Sequence, residues 1–304
     1  MRPFDLQING YRGVDLNHDS LDPEALHAAC ETLRRENVDG FLATVITDEL
    51  DAMERRIRRV VELRERDPLA RELIAGIHIE GPFLNEQCGY AGAHPPQAMR
   101  PASLDAMQRL LDAGGGYVRL ITLAPERDPG LAVTSWLAAQ GLCVAAGHCD
   151  PEIDLLAAAI DSGLTLFTHL GNGCPMQLHR HDNIIQRVLS LTNQLWVSFI
   201  PDGVHIPFFA LKNYLKCTGI ERAIFVTDAI AAAGLGPGLY TLGKQTIHIG
   251  DDLVARSPDR SHFIGSTVTW TRIRCETGPA LGLTEEDMEL LCCRNPRLAL
   301  GLPS

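Results

Sequence analysis

The segment GIHIEGPFLN, residues 76–85, carries an apolar run that ends on a carboxylate and then stops at Gly81-Pro82. Side chains two residues apart share one face of a strand, so His78 and Glu80 point the same way, and proline closes the element because it cannot donate to a ladder. An unpaired buried carboxylate is costly. The segment therefore predicts a strand whose last residue, Glu80, meets a cation, a metal ion or solvent in a cleft.

Seven further apolar runs of this kind, rich in β-branched or aromatic residues, make a set of eight predicted strands. The set is FDLQI (4–8), GFLATVI (40–46), IAGIHIE (74–80), YVRLITL (117–123), CVAAGH (143–148), LTLFTHL (164–170), LWVSFI (195–200) and RAIFVTD (222–228). Continuous apolar runs are typical of parallel strands buried on both faces. Eight βα units in about 230 residues favour a closed (β/α)8 TIM barrel over an open doubly wound sheet, which stays the alternative.

Helix signals lie between the strands. An aspartate that precedes a proline predicts an N-cap followed by the first helical residue, at Asp22-Pro23, Asp128-Pro129 and Asp150-Pro151. Gly40, Gly141 and Gly163 follow the corresponding periodic stretches and predict where those helices end. After the eighth strand, residues 239–256 alternate apolar and polar side chains and predict a hairpin near the mouth, with His248 exposed.

Composition narrows the class of protein. The chain has 304 residues, 45% hydrophobic and 21% charged, which fits a single globular domain over 1–304. A net charge of −11 without a basic block argues against a nucleic-acid partner or an anionic membrane. Nine irregularly spaced cysteines, an N-terminus without a signal-peptide pattern and no apolar run of membrane-spanning length predict a cytoplasmic protein.

Polar side chains stand at or just past the C-terminal ends of several predicted strands. They are Gln7 and Asn9, Glu80, His148, His169, Asp202 with His205, and Asp228. A single histidine at such a position is more often a packing residue, but barrel active sites are built at this end of the strands, where distant residues converge. Two imidazoles and a carboxylate suit Zn²⁺ and leave a fourth position open for water, which is typical of a catalytic site.

In these motifs the chain resembles the N-acetylglucosamine-6-phosphate deacetylases of the amidohydrolase superfamily. The resemblance runs, in order, through DLQINGYRGVD (5–15), GIHIEGPFLN (76–85), GAH (92–94), AGHCD (146–150), THLGNGCPM (168–176), DGVHI (202–206), VTDA (226–229), GST (265–267) and NPRLALGL (295–302). It implies a metal-dependent amidohydrolase that removes an N-acetyl group from an amino sugar, with N-acetylglucosamine 6-phosphate as the expected substrate.

The resemblance also implies roles for the metal centre. Glu80, His148 and His169 would hold one divalent metal ion, expected to be Zn²⁺, with Fe²⁺, Mn²⁺ and Co²⁺ as other metals that accept these ligands. Asp228 would take the proton of the attacking water and return it to the leaving amine. His205 would polarise the carbonyl oxygen and stabilise the oxyanion.

Four further residues resemble substrate contacts of that family. His94 matches a substrate-binding histidine, and Asn172 with the Gly173 backbone N–H matches the positions that hold the sugar phosphate. Arg180 matches an arginine that reaches the phosphate bound by a neighbouring subunit, for which a guanidinium is well shaped. This match predicts a homodimer.

The sequence departs from related proteins at three places. Gln7-x-Asn9 stands where many amidohydrolases have His-x-His, which predicts one metal ion instead of two, because amides are poor ligands beside imidazole. The chain leaves no room for the β-sandwich strands that usually flank the barrel, and is expected to be a short form. Gly171, Gly173 and Cys174 replace larger residues in the predicted phosphate loop and are expected to loosen it.

Three alternatives stay open or are set aside on the residues. The same metal site could serve another N-acyl or cyclic amide without phosphate, or the barrel could bind a sugar phosphate without catalysis. A Schiff-base aldolase or isomerase is excluded, because no lysine stands at the eight predicted strand ends.

The stretch TEEDMELLCCRNPRLALGL (284–302) predicts closing helices capped by Thr284, with Cys292 and Cys293 as core-facing thiols.

Overall fold

A computed structural model describes residues 1–242, 245–256 and 263–303. Eight parallel strands form one sheet in sequence order, each paired with the next, which confirms the predicted barrel. Their bounds are β1 Phe4–Ile8, β2 Gly40–Ile46, β3 Ile74–Glu80, β4 Val118–Leu123, β5 Cys143–Ala146, β6 Leu164–Phe167, β7 Trp196–Phe199 and β8 Ala223–Phe225. All eight strands fall inside the runs predicted from the sequence, and β3 ends on Glu80 as predicted.

The barrel closes between β1 and β8, and this closure is irregular. Asp5 pairs with Phe41 whereas Ile8 pairs with Ala43, so β1 has one residue more than β2 over this interval. Such a bulge bends a strand and turns a side chain to a new direction. Across the seam, Ile8 meets Ala229 in an isolated parallel bridge, and the N–H of Asn9 donates to the carbonyl of Ala229 at 2.8 Å.

Helices follow most of the strands and cover the sheet. Their bounds are α1 Pro23–Arg35, α2 Leu50–Arg66, α3 Pro68–Leu73, α4 Leu104–Gly114, α5 Ala132–Ala139, α6 Ile153–Asp161, α7 Ile184–Ser190, α8 Phe208–Thr218, α9 Trp270–Arg272, α10 Gly278–Leu281, α11 Glu285–Glu289 and α12 Asn295–Ala299. Two π-helical turns, Ile273–Thr277 and Leu290–Arg294, join the last helices. Thr284 and Asp287 form a capping box on α11, which confirms the predicted cap.

One of the three Asp-Pro predictions is right and two are wrong in detail. Asp22 caps α1 and accepts the N–H of Ala25 at 2.9 Å. Asp128 precedes a short 3₁₀ turn, and its carboxylate caps α5 only from further away, through Val133 and Thr134. Asp150 caps nothing, because α6 begins at Ile153 and the carboxylate of Asp150 accepts from Arg187 instead.

The core lies in two layers. One buried cluster joins strands around the barrel, with Leu6 on β1, Leu42 on β2, Leu120 on β4, Leu166 on β6 and Ile224 on β8. Larger clusters fill the space between the strands and the surrounding helices, for example where α2 and α4 pack together on the sheet. Gly40 is the first residue of β2 and approaches the ring of Phe4, so it belongs to the strand and does not end a helix.

A small antiparallel sheet follows β8 and borders the barrel mouth. It consists of β9 Gly238–Leu242, β10 Gln245–Ile249 and β11 Ala255–Arg256, so the predicted hairpin is a three-stranded meander. Its apolar face, with Ile247 and Ile249, packs on Ile46 and Ile230, while His248 is exposed as predicted. Cys292 and Cys293 are buried thiols, which confirms their predicted place. Among the described helices, none has the length and apolar character needed to cross a bilayer.

A pair of leucines on α4 tests this account of the core. Leu110 is fully buried between α4 and the sheet, whereas Leu104, at the start of the same helix, is 43% exposed. We expect Leu110→Ala to lower the free energy of unfolding by about 3 kcal/mol, because the cavity adds to the lost transfer energy. Leu104→Ala should cost about 0.5 kcal/mol or less. Urea unfolding followed by circular dichroism measures both, and equal losses would contradict the packing described.

Candidate active site

A cavity of about 1340 Å³ opens at the C-terminal ends of the strands. Most of the residues predicted for the site line it: Glu80, His94, His148, His169, Asn172, Gly173, His205 and Asp228. They come from the ends of β3, β5, β6, β7 and β8 and from the loops that follow β3 and β6. Arg180 is the exception, since it is exposed and lies outside the cavity of its own chain.

Glu80, His148 and His169 meet at the bottom of this cavity. Oε1 of Glu80 lies 3.0 Å from Nε2 of His169 and 3.3 Å from Nε2 of His148, and the two imidazole nitrogens are 3.2 Å apart. All three residues are buried. Burial acts to raise the pKa of Glu80, but hydrogen bonds with His148 and His169 hold it well below its usual value, so the carboxylate is ionised.

This arrangement fits a metal ion. Two ligands of a tetrahedral Zn²⁺ ion, each about 2.0–2.1 Å from the metal, lie roughly 3.3 Å apart, close to the three distances above. In the described residues these three form the cluster with metal-ligand spacing. The Nδ1–H of His148 donates to the carbonyl of Tyr90 at 2.7 Å, which leaves the lone pair of Nε2 free for a metal. The backbone N–H of His169 donates to Oγ of Ser198 at 2.7 Å and fixes that strand end.

His94 lies beside this cluster, but its ring nitrogen nearest the cluster carries a proton and is a hydrogen-bond donor. The N–H of Thr47 donates to Nδ1 of His94 at 3.3 Å, so the neutral ring carries its proton on Nε2. That nitrogen points at Oε2 of Glu80 from 3.7 Å. Burial, with the neighbouring His148, lowers the pKa of His94 to about 3, so the ring is neutral. His94 is thus a hydrogen-bond donor toward the cavity and has no free lone pair for a metal.

Two amide side chains, Gln7 in β1 and Asn9 just after it, hold the carboxylates of the site. Nε2 of Gln7 donates to both carboxylate oxygens of Glu80 at 3.1 Å, and Nδ2 of Asn9 donates to Asp228 at 2.7 Å. Burial and the charge of Glu80 raise the pKa of Asp228 to about 6. From the sequence, the Gln-x-Asn motif predicts only that a second metal ion is absent or weakly bound, whereas the structure shows its two side chains as donors to the site carboxylates.

His205 faces the cavity from the loop after β7. Its Nδ1 lies 2.7 Å from Oδ2 of Asp202, and the same carboxylate accepts the backbone N–H groups of Val204 and His205. These bonds hold the pKa of Asp202 below its usual value although burial opposes the shift. With Nδ1 held as a donor, Nε2 is directed to the cavity. Asp202 stands just past a predicted strand end, and its spacing of three residues from His205 is the sequence signal for this pair.

The loop after β6 carries the predicted phosphate contacts. Asn172 is half-buried, and its side chain donates to the carbonyl of His169 at 3.3 Å. Gly173 adopts a φ of +61°, and a Cβ there would lie 2.9 Å from Nδ1 of His148. A larger residue would therefore push on a cluster histidine, which explains the glycine at this position.

The backbone is unusual where the reactive side chains leave the barrel. Among the described residues, seven other than glycine have a positive φ, and three of them are His148, His169 and Asp228, at +51°, +36° and +47°. Such left-handed geometry costs about 1–3 kcal/mol per residue and clusters at functional sites. The strands thus turn sharply at the residues that reach into the cavity.

Comparison with known proteins identifies the family. No protein-family model matches the chain. The N-acetylglucosamine-6-phosphate deacetylase of Bos taurus is 32% identical over 306 residues, which cover 98% of this chain and 73% of that protein. The chain belongs to the N-acetylglucosamine-6-phosphate deacetylase family. The N-acetylgalactosamine-6-phosphate deacetylase of Escherichia coli O157:H7 is 29% identical over 98% of the chain and 77% of that protein.

Solved structures agree with the family assignment. The crystal structure of N-acetyl-D-glucosamine-6-phosphate deacetylase from Mycobacterium smegmatis superposes with a TM-score of 0.88 and 30% identity, over 99% of this chain and 78% of that one. Deacetylases of this family depend on a metal ion, and the Glu80, His148 and His169 cluster could bind one.

Metal binding by the cluster is tested with a charge-neutral variant. Glu80→Gln keeps the shape of the side chain but removes the carboxylate, so we expect the affinity for Zn²⁺ or Co²⁺ to fall at least about 100-fold, because a neutral amide is a poor ligand for these ions. Glu86→Gln, which also borders the cavity but lies outside the cluster, should bind metal like the wild type. Competition with a chelating dye measures both, and equal affinities in the three proteins would exclude Glu80 as a ligand.

Proposed function

We propose that this chain is a metal-dependent hydrolase that removes the N-acetyl group from an amino-sugar phosphate, with N-acetylglucosamine 6-phosphate as its substrate. The observation that carries the proposal is that Asp228 and His205 border the same cavity as the Glu80, His148 and His169 cluster. Family membership gives the same reaction class, since the bovine relative is named for it. The whole chain, 1–304, would act as one catalytic domain.

The chain's own residues divide the work of amide hydrolysis. Glu80, His148 and His169 would hold one divalent ion per chain, expected to be Zn²⁺, with Fe²⁺, Mn²⁺ or Co²⁺ as substitutes. When bound, such an ion lowers the pKa of water and polarises a carbonyl. Asp228 takes the proton of the attacking water and then gives it to the amine nitrogen as the C–N bond breaks, which releases acetate and the free amino sugar.

Two histidines complete the proposed site. Nε2 of His205 would donate to the amide carbonyl oxygen when the ring carries both protons, and Asp202 on the far side of the ring stabilises the positive charge of that form. Nε2 of His94 would donate to a substrate oxygen, consistent with its neutral ring. Gln7 and Asn9 keep the two carboxylates in place by donating to them.

The phosphate would be bound in two parts. The side chain of Asn172 and the N–H of Gly173 border the cavity from within the chain. Arg180 is exposed and outside this cavity, which supports a homodimer in which it reaches the substrate of the other subunit. Met176, 88% exposed, and Phe209, 76% exposed, are apolar side chains available for such a contact. A small-molecule substrate and a cytoplasmic location complete the proposal.

A second candidate keeps the site but changes the ligand. The similarity to an N-acetylgalactosamine-6-phosphate deacetylase leaves the sugar epimer open. Separately, Glu49 and Glu86 add negative charge to the cavity wall, which would disfavour a phosphate nearby. An N-acyl amide without phosphate is therefore the competing substrate class. The two candidates differ in whether a cationic side chain improves binding.

Catalysis by Asp228 is tested with an isosteric variant. Asp228→Asn retains the shape of the side chain but cannot take a proton, so we expect kcat for acetate release from N-acetylglucosamine 6-phosphate to fall about 1000-fold. Metal content, measured by elemental analysis, should stay near one ion per chain. Asp154→Asn, on the exposed start of α6, is the matched control and should be fully active. An Asp228→Asn enzyme with more than a tenth of the activity would exclude a general-base role.

The phosphate assignment is tested at Arg180. Loss of a hydrogen bond to a charged group costs about 1.5–3 kcal/mol, so Arg180→Ala should raise KM for the phosphorylated sugar roughly 10- to 100-fold. KM for N-acetylglucosamine itself should not change, and neither should the activity of the exposed control Arg55→Ala. Light scattering reports whether the wild type is a dimer. Unchanged turnover of the phosphorylated sugar by Arg180→Ala would favour the phosphate-free candidate.

A further inference from the structure

Asp5 is a fully buried carboxylate at the barrel seam that has no place in the proposed reaction. Four groups donate to it. They are the N–H of Gln7 at 3.1 Å, the N–H of Thr227 at 3.3 Å, the hydroxyl of Thr227 at 2.7 Å and the indole N–H of Trp270 at 3.0 Å. Burial raises the pKa of Asp5 to about 7, against the effect of these bonds. A carboxylate buried this deeply is costly unless hydrogen bonds meet its charge. The groups that donate to Asp5 therefore indicate which parts of the structure it holds.

The first use lies in β1. The bulge between Asp5 and Ile8 takes the N–H of Gln7 out of the ladder, and Oδ1 of Asp5 accepts it. Gln7 in β1 and Asn9, just past its end, then reach the cavity carboxylates, Gln7 at Glu80 and Asn9 at Asp228. Asp5 therefore stabilises the local conformation from which both amide donors project.

The second use lies after β8. The hydroxyl of Thr227 donates to Asp5 and accepts the N–H of Ala229 at 3.2 Å. The second bond spans the one residue that lies between Thr227 and Ala229. That residue is Asp228, whose backbone has a φ of +47°. Regular ladder pairing does not extend to this level of the seam in the described residues, where Ile8 and Ala229 form an isolated bridge. The Thr227 hydroxyl thus adds a side-chain support to the turn at Asp228, beside the backbone bonds in which the N–H of Ser266 donates to the carbonyl of Asp228 at 2.9 Å and the N–H of Asn9 to that of Ala229 at 2.8 Å.

We propose that Asp5 is a positioning residue that fixes the bulge at Gln7 and, through Thr227, the turn at Asp228, and so aligns Glu80 and Asp228 with each other. The proposal rests on the proposed function. It predicts that loss of the Thr227 hydroxyl misplaces the proton-transfer group, whereas loss of Asp5 also disturbs the donor to Glu80.

Thr227 gives the sharper test because Thr227→Val has the same shape and lacks only the hydroxyl. With saturating Zn²⁺, we expect Thr227→Val to lower kcat for acetate release from N-acetylglucosamine 6-phosphate about 10- to 100-fold, with KM within about threefold of the wild type. Thr227→Ser, which restores the hydroxyl, should recover most of kcat. Affinity for Co²⁺ should be unchanged in both variants, because neither touches Glu80.

A second buried pair serves as control. Oγ1 of Thr134 donates to Asp128 at 2.7 Å, and the N–H of Thr134 also donates to that carboxylate, as Thr227 does to Asp5. Neither Thr134 nor Asp128 lines the cavity. Thr134→Val should lower the melting temperature as Thr227→Val does but leave kcat at the wild-type value. If Thr227→Val keeps kcat within about threefold of the wild type, or if Thr134→Val loses as much activity, the positioning role is overturned.

Asp5→Asn separates failure of this proposal from failure of the proposed function. If the wild type releases no acetate from any N-acetylated sugar phosphate, the function is wrong, and Co²⁺ affinity then decides the role of Asp5. A loss of about tenfold in Asp5→Asn supports positioning of Glu80 through Gln7, and an unchanged affinity overturns it. Should Asp5→Asn fail to fold, the Thr227→Val and Thr227→Ser pair decides by activity: a hydroxyl whose loss leaves kcat within about threefold of the wild type overturns the proposal.

Discussion

The ionised side chain of Glu80 is the constraint on which the rest of this structure depends. A buried carboxylate is tolerated only when its charge is met, and here an amide and two imidazole rings lie against it. Gln7 donates to both oxygens, and the ring nitrogens of His148 and His169 approach one of them. The same arrangement that stabilises the carboxylate in the protein creates the spacing that a divalent cation needs.

Around Glu80, hydrogen bonds support the residues that lie just past the ends of the strands, where the backbone is no longer regular. The histidines and Asp228 leave their strands through left-handed backbone, and His148 is held by a carbonyl, His169 by a serine hydroxyl and Asp228 by an amide. Each is a bond to a neighbouring strand or loop. Because strained residues persist only where their surroundings fix them, these supports are part of the site and belong to its chemistry as much as the ligands do.

The family relationship and the geometry contribute different things. The relationship supplies the reaction class and the name of a substrate, which no distance in the cavity could supply. The geometry supplies the protonation pattern: His94 is a donor, His148 has its free lone pair at the cluster, and His205 is backed by Asp202. In the loop after β6, Gly173 allows close approach to His148.

The sequence by itself determined the eight strands, their parallel order and the convergence of Glu80, His148 and His169, because strand ends of a closed barrel meet at one mouth whatever their separation along the chain. It also indicated the cap at Asp22 and the closing helices from Thr284. Only the tertiary structure decided the use of Asp5, Gln7 and Asp150. A bulge shifts the alternation of side chains in β1. The carboxylate of Asp5 accepts from Thr227, just past β8, and from Trp270. Asp150 accepts from Arg187 and does not cap a helix as predicted. Such choices depend on partners far away in sequence, and local propensity contains no information about them.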